Sequence, residues 1–219
     1  MASEVDICNL ALGYLGDSAT VSSIDPPEGS TQAEHCARFY PVARDTLLQA
    51  HPWNFSTRRK QLALVQTPIT PDPHWLTVYA LPTDCLEPMS VLPPGGYDTE
   101  NQEFEIETAD DGTLRILCNV EQAVLRYKAR VLDTTKFPPL FINALSRLLA
   151  SYLAGPIIKG DAGTAESKQQ LSAYQLLLSQ AVVSDTNARK VNTGYGEHLP
   201  SWMAARGTPT GLGRNRFRG

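Results

Sequence analysis

The chain has 219 residues, 42% of them hydrophobic and 19% charged, with a net charge of −4. Such a composition builds one large domain or two small ones around a real core and excludes a disordered or fibrous protein. There is no basic start followed by an apolar run and no stretch approaching a membrane span. Cys8, Cys36, Cys85 and Cys118 form no CxxC pair, so they read as buried small hydrophobes in a reducing compartment, not as zinc ligands or a disulfide framework.

Residues 1–60 read as helical. Ser3 with Asp6 makes a capping signal, and Ile7, Leu10, Ala11 and Leu15 recur at helical spacing before Gly16. A loop with Asp25, Pro26, Pro27 and Gly29 follows. Thr31 and Glu34 then fit a second capping box ahead of an apolar stripe of Ala33, Cys36, Ala37, Tyr40, Ala43, Leu47 and Leu48. Pro41 within that stripe is predicted to kink or divide the helix. The segment closes on His51-Pro52-Trp53-Asn54-Phe55, where a proline and two large aromatics predict a rigid structural corner packed on the helices. Arg58-Arg59-Lys60 reads as a solvated corner or as a contact for nucleic acid or an acidic partner.

Residues 61–133 change period. Strands are predicted over 61–66, 75–80 and 85–92, separated by prolines. Gln102–Thr108 alternates, with Phe104 and Ile106 opposite Glu103, Glu105 and Glu107. An Asp110-Asp111-Gly112 turn leads to a strand through Ile116, and 123–131 alternates again with Arg126, Lys128 and Arg130 on one side. These segments predict one small antiparallel sheet, its acidic and basic faces pairing across neighbouring strands where register allows.

Residues 134–187 return to helix after Pro138-Pro139. Phe141, Leu145, Leu148, Leu149 and Tyr152 form one stripe, and Leu171, Tyr174, Leu178 and Ala181 a second, with Pro156 and Gly160 between them. The predicted fold is therefore α+β: a four-helix bundle with an inserted antiparallel β-sheet region and an extended C-terminal arm.

The arm, residues 188–219, is the most distinctive stretch. Arg189, Lys190, Arg206, Arg214, Arg216 and Arg218 stand against one acid, Glu197, a net +5, so the first 187 residues carry −9. Repeated Gly and Pro oppose regular structure. Tyr195, Leu199, Trp202, Met203, Leu212 and Phe217 supply apolar anchors, a pattern that suits ordering on a partner. The cations suit phosphate, whereas the aromatic anchors suit protein pockets.

Catalytic signals are weak. His35, His51, His74 and His198 are scattered outside any metal pattern. His35 and Cys36 are adjacent on a helix and point apart. Glu103, Glu105 and Glu107 would serve a carboxylate-based hydrolase, but equally spaced acids on an alternating strand more simply form its wet face. Lys159-Gly160-Asp161-Ala162-Gly163-Thr164 has the wrong order for a phosphate loop. No catalytic, cofactor or metal site is expected. A DNA-binding assembly module using the basic arm is the main alternative to a structural role.

Several segments together resemble the head-to-tail adaptor family of tailed bacteriophages, also called tail tubular protein A. They are Ile7-Cys8-Asn9-Leu10-Ala11-Leu12 with Leu15-Gly16; Phe39-Tyr40-Pro41-Val42-Ala43-Arg44-Asp45 with Leu48 and the His51–Phe55 corner; Tyr79–Cys85; and Phe137–Phe141 through Leu149–Ala154. The resemblance implies a non-catalytic virion protein, made in the host bacterial cytoplasm and placed at the head–tail junction. It implies a homo-oligomeric ring, a dodecamer, fixed to the portal protein on one side and to a tail nozzle or stopper on the other. Genomic DNA would pass through without sequence-specific binding, and no membrane is involved. The arm is the least similar part. The portal-binding candidates Arg189, Lys190, Tyr195, Trp202, Met203, Arg206, Arg214, Arg216, Phe217 and Arg218 therefore rest on its own pattern of cations and aromatics.

Overall fold

The computed structural model describes residues 2–66 and 74–188. Among these residues the elements run Glu4–Tyr14 (α1), Thr31–Ala50 (α2), Thr57–Gln61 (β1), Ala63–Gln66 (β2), Thr77–Ala80 (β3), Cys85–Leu92 (β4), Phe104–Thr108 (β5), Leu114–Cys118 (β6), Val124–Ala129 (β7), Pro139–Ile158 (α3) and Gly160–Ala188 (α4).

Local chemistry sets the helix starts. The Ser3 hydroxyl accepts from the Asp6 amide at 3.1 Å while the Asp6 carboxylate accepts from the Ser3 amide at 2.8 Å, closing a capping box. The second helix starts from Ser30, whose hydroxyl accepts from the Ala33 amide at 3.2 Å, and Thr31 becomes its first helical residue. Serine and threonine offer the same acceptor, so adjacent caps compete and tertiary placement decides. Pro41 does not divide α2, which stays helical to Ala50. The missing hydrogen bond is outweighed by burial of Tyr40, Ala43, Leu47 and Leu48 on both sides of it.

The expected four-helix bundle with one inserted sheet is not what forms. α3 is a hub against which α1, α2 and α4 each pack. Between α2 and α3 the chain builds two antiparallel sheets, in the orders β1-β7-β4 and β2-β3-β6-β5. These sheets enclose a core of their own, made by Leu62, Tyr79, Val91, Ile116, Cys118, Ala123, Leu125, Tyr127 and Ala129. Alternation along a strand says that one face is apolar but not whether that face meets a helix or another sheet. Here the apolar faces of β3, β4, β6 and β7 meet each other, while Ile106 on the edge strand β5 stays exposed, and the chain changes sheets at buried Leu62, whose amide donates to the Ala123 carbonyl at 2.9 Å.

This division also corrects the expected charge pairing. Glu105 and Glu107 lie on β5 beside β6, where Glu107 opposes Arg115, whereas Arg126 and Lys128 lie on β7 in the other sheet. Their ion partners are Asp98 at 3.4 Å and Glu87 at 3.0 Å. Arg58, Arg59 and Lys60 form the edge strand β1, not a post-helical corner, with Arg58 on Asp84 and Arg59 on Asp98, each at 2.6 Å.

α3 further amends the sequence reading. It has 20 residues and a mean hydropathy of 1.3, long and apolar enough to cross a membrane by those criteria. Phe141, Leu145, Leu149 and Leu153 are fully buried against protein, however, which accounts for the composition as that of a central core helix. Its turn into α4 is a single residue, Lys159, at φ +63°. The helices then approach so closely that a side chain on Gly163 would meet the Ala154 carbonyl oxygen at 2.9 Å.

Candidate docking site at the root of the arm

The last carbonyls of helix α2 need donors from outside the helix. Two side chains supply them, one from just past the helix end and one from the sheet. The Trp53 indole N–H donates to the Leu47 carbonyl at 2.8 Å, and Lys128 Nζ, reaching across from β7, donates to the Gln49 carbonyl at 2.6 Å. Trp53 is buried and stands edge-on to Phe141, with ring centroids 5.2 Å apart. Phe55 meets the same Phe141 ring at 5.0 Å, and Phe137 closes the group at 4.8 Å. The corner thus joins the end of α2 to the start of α3 through one aromatic cluster.

It also takes hold of the end of α4. His51 Nε2 lies 3.2 Å from Asp185 Oδ2, and the Asn54 amide donates to the same carboxylate at 3.1 and 3.2 Å. The Asn54 side-chain amide donates to the Asp185 carbonyl at 2.7 Å. Asp185 was not among the residues singled out from sequence, and Asn54 only as a letter in the corner. The available signal was electrostatic: an acid near a helix C-terminus opposes the helix dipole and calls for a compensating partner.

A largely apolar pocket of about 360 Å³ opens beside this clamp, lined by Trp53, Pro138, Leu140, Phe141, Ala181 and Ala188, with Ser184 and Asp185 also contributing. Ala188 is the last described residue. The candidates Arg189, Lys190, Tyr195, Trp202, Met203, Arg206, Arg214, Arg216, Phe217 and Arg218 lie outside the described residues. Of the corner residues, His51, Trp53 and Phe55 are brought together, and Pro52 lies between two of them in the chain.

Elsewhere the geometry is less suggestive. A cleft of about 590 Å³ lies beside Val65, Leu81, Cys85, Asp111 and Arg115. Asp111 is already engaged by Thr113 and Arg115, and its carboxyl is held below the usual range by the Thr113 hydroxyl and amide. Burial, with Asp84 nearby, pushes the Cys85 thiol up to about 11, which disfavours a thiolate nucleophile. Glu103, Glu105 and Glu107 are exposed, and Glu105 accepts from the Trp75 indole at 3.1 Å. His35 leans on Phe39, while the neighbouring Cys36 faces Cys8 in the interior. Lys159 is the turn between α3 and α4, and Gly160 is the first residue of α4.

No family model matches the chain, and no curated protein matches it significantly.

Proposed function

We propose that the protein is a head-to-tail adaptor of a tailed bacteriophage, a virion protein whose copies form a dodecameric ring between the portal and the tail nozzle or stopper. The observation that carries this reading is the clamp of Asp185 by His51 and Asn54. The His51–Phe55 corner contributes strongly to the resemblance to that family, and here it has a mechanical task. It fixes the end of α4 against the aromatic cluster, so that the basic arm leaves from a defined point on a packed body. Attachment to a portal by many such arms is strong collectively even where each contact is modest. The body's charge of −9 suits a channel that lets DNA pass without holding it.

The test is cryo-electron microscopy of the protein mixed with the portal candidate encoded beside it. A ring seated on the portal is expected, and deletion of residues 189–219 is expected to abolish the complex while the body stays folded. Undiminished binding of the truncated protein would refute the role of the arm. Tight duplex-DNA binding with a steep salt dependence, together with no portal affinity, would favour the DNA-binding alternative.

A further inference from the structure

We propose that the pocket at the root of the arm is filled by the apolar stretch Leu199-Pro200-Ser201-Trp202-Met203 of the chain's own arm, folded back on the body. The pocket is apolar where it touches Trp53, Leu140 and Phe141, and its volume of about 360 Å³ accommodates an indole with part of a neighbouring side chain. The chain itself points to the occupant. Ala188 lines the pocket, so residue 189 starts at its rim and the arm is tethered there.

The tether has a suitable length and composition. Residues 189–198 are mostly polar and include two glycines, and a coil of that kind spanning to Trp202 has a root-mean-square reach of about 20 Å. That reach holds the apolar stretch near the pocket at an effective concentration of order millimolar. Trp202 and Met203, followed by Ala204 and Ala205, are the densest apolar run in the arm. Tyr195 is nearer the root, but a single ring between two glycines buries less apolar area. Charge acts in the same direction, because an arm of +5 folds onto a body of −9.

The consequence is a masked arm. A partner that uses Trp202 must first displace it, and its apparent affinity falls in proportion to the fraction of arms released. This inference does not require the eventual partner to be a portal.

The test uses the full chain carrying Ser184→Cys and Met203→Cys, oxidised in a glutathione buffer. Ser184 lines the pocket and is exposed. An intramolecular disulfide is expected at monomer mass, at a rate independent of protein concentration. It should form about ten times faster than in a Ser172→Cys, Met203→Cys control, whose helix position is about 18 Å away along α4. Leu140→Asp, an acid in the first turn of α3 where the helix dipole tolerates it, should slow the reaction to the control rate. Equal rates at Ser184→Cys and Ser172→Cys would overturn the proposal. Disulfide-linked dimers that increase with concentration would overturn it in favour of a second copy's arm.

Discussion

His51 and Asp185, 134 positions apart in the chain, meet at 3.2 Å and tie the end of α2 to the last turns of α4. Both side chains are mostly shielded from solvent, at 17% and 11% exposure, so their contact is better protected than an ordinary surface pair. Asp185→Ala removes the acceptor for His51 and for the Asn54 amide together. The expected cost is about 1–3 kcal/mol, accompanied by faster amide hydrogen exchange over residues 181–188. Unchanged exchange there would mean that the apolar face of α4 alone holds its end.

Trp53 combines two roles that substitutions can separate. Trp53→Phe keeps a ring against Phe141 but leaves the buried Leu47 carbonyl without the indole donor, for an expected loss of about 1–3 kcal/mol. Trp53→Ala also empties the aromatic cluster and should cost about 3–5 kcal/mol. Urea unfolding of both variants checks the order. Equal losses would assign the whole effect to the hydrogen bond.

The legible parts of this fold were those written in local chemistry. Ser3 with Asp6, the stripe around Tyr40 and Leu47, and the alternation of Phe104 and Ile106 each identify an element from neighbouring residues alone. The choice between one sheet and two was not written locally, because Leu62 and Ala123 settle it by meeting across the chain. Arg58, Arg59 and Lys60 gave no strand signal, since an edge strand whose cations find Asp84 and Asp98 has no alternating apolar face. At the candidate site the aromatic corner was readable from Pro52, Trp53 and Phe55. Asp185 was not, because its role exists only where α4 returns to α2.

Two helical glycines should respond to alanine in opposite directions. At Gly163 the new methyl group would lie 2.9 Å from the Ala154 carbonyl oxygen, and the backbone there cannot swing away as a flexible side chain can. Gly163→Ala is therefore expected to push the helices apart and cost about 1–3 kcal/mol. At Gly13, an exposed position in the last turn of α1, a Cβ meets nothing within 4 Å, so alanine should stabilise by about 0.5–1 kcal/mol through helix propensity. Thermal melts of the two variants test the pair, and a stabilising Gly163→Ala would contradict the close approach.

Stability should fall in alkali through the core between the sheets. Burial, with Asp84 nearby, pushes Cys85 up to about 11 from an ordinary 9.0, and burial with the Asp84 hydrogen bond pushes Tyr127 up to about 12 from 10.0. In both cases the folded state favours the neutral form. Each contribution is therefore complete below the group's unfolded value and is lost as pH rises through the folded one. The urea midpoint should consequently decline between pH 9 and 12, first through Cys85 and then through Tyr127. Tyr127→Phe gives up the 3.0 Å hydrogen bond to Asp84 and should lower the midpoint at pH 8, yet decline less steeply above pH 10 because it has no hydroxyl to ionise. Parallel curves for the two proteins up to pH 12 would show that Tyr127 does not carry the alkaline loss.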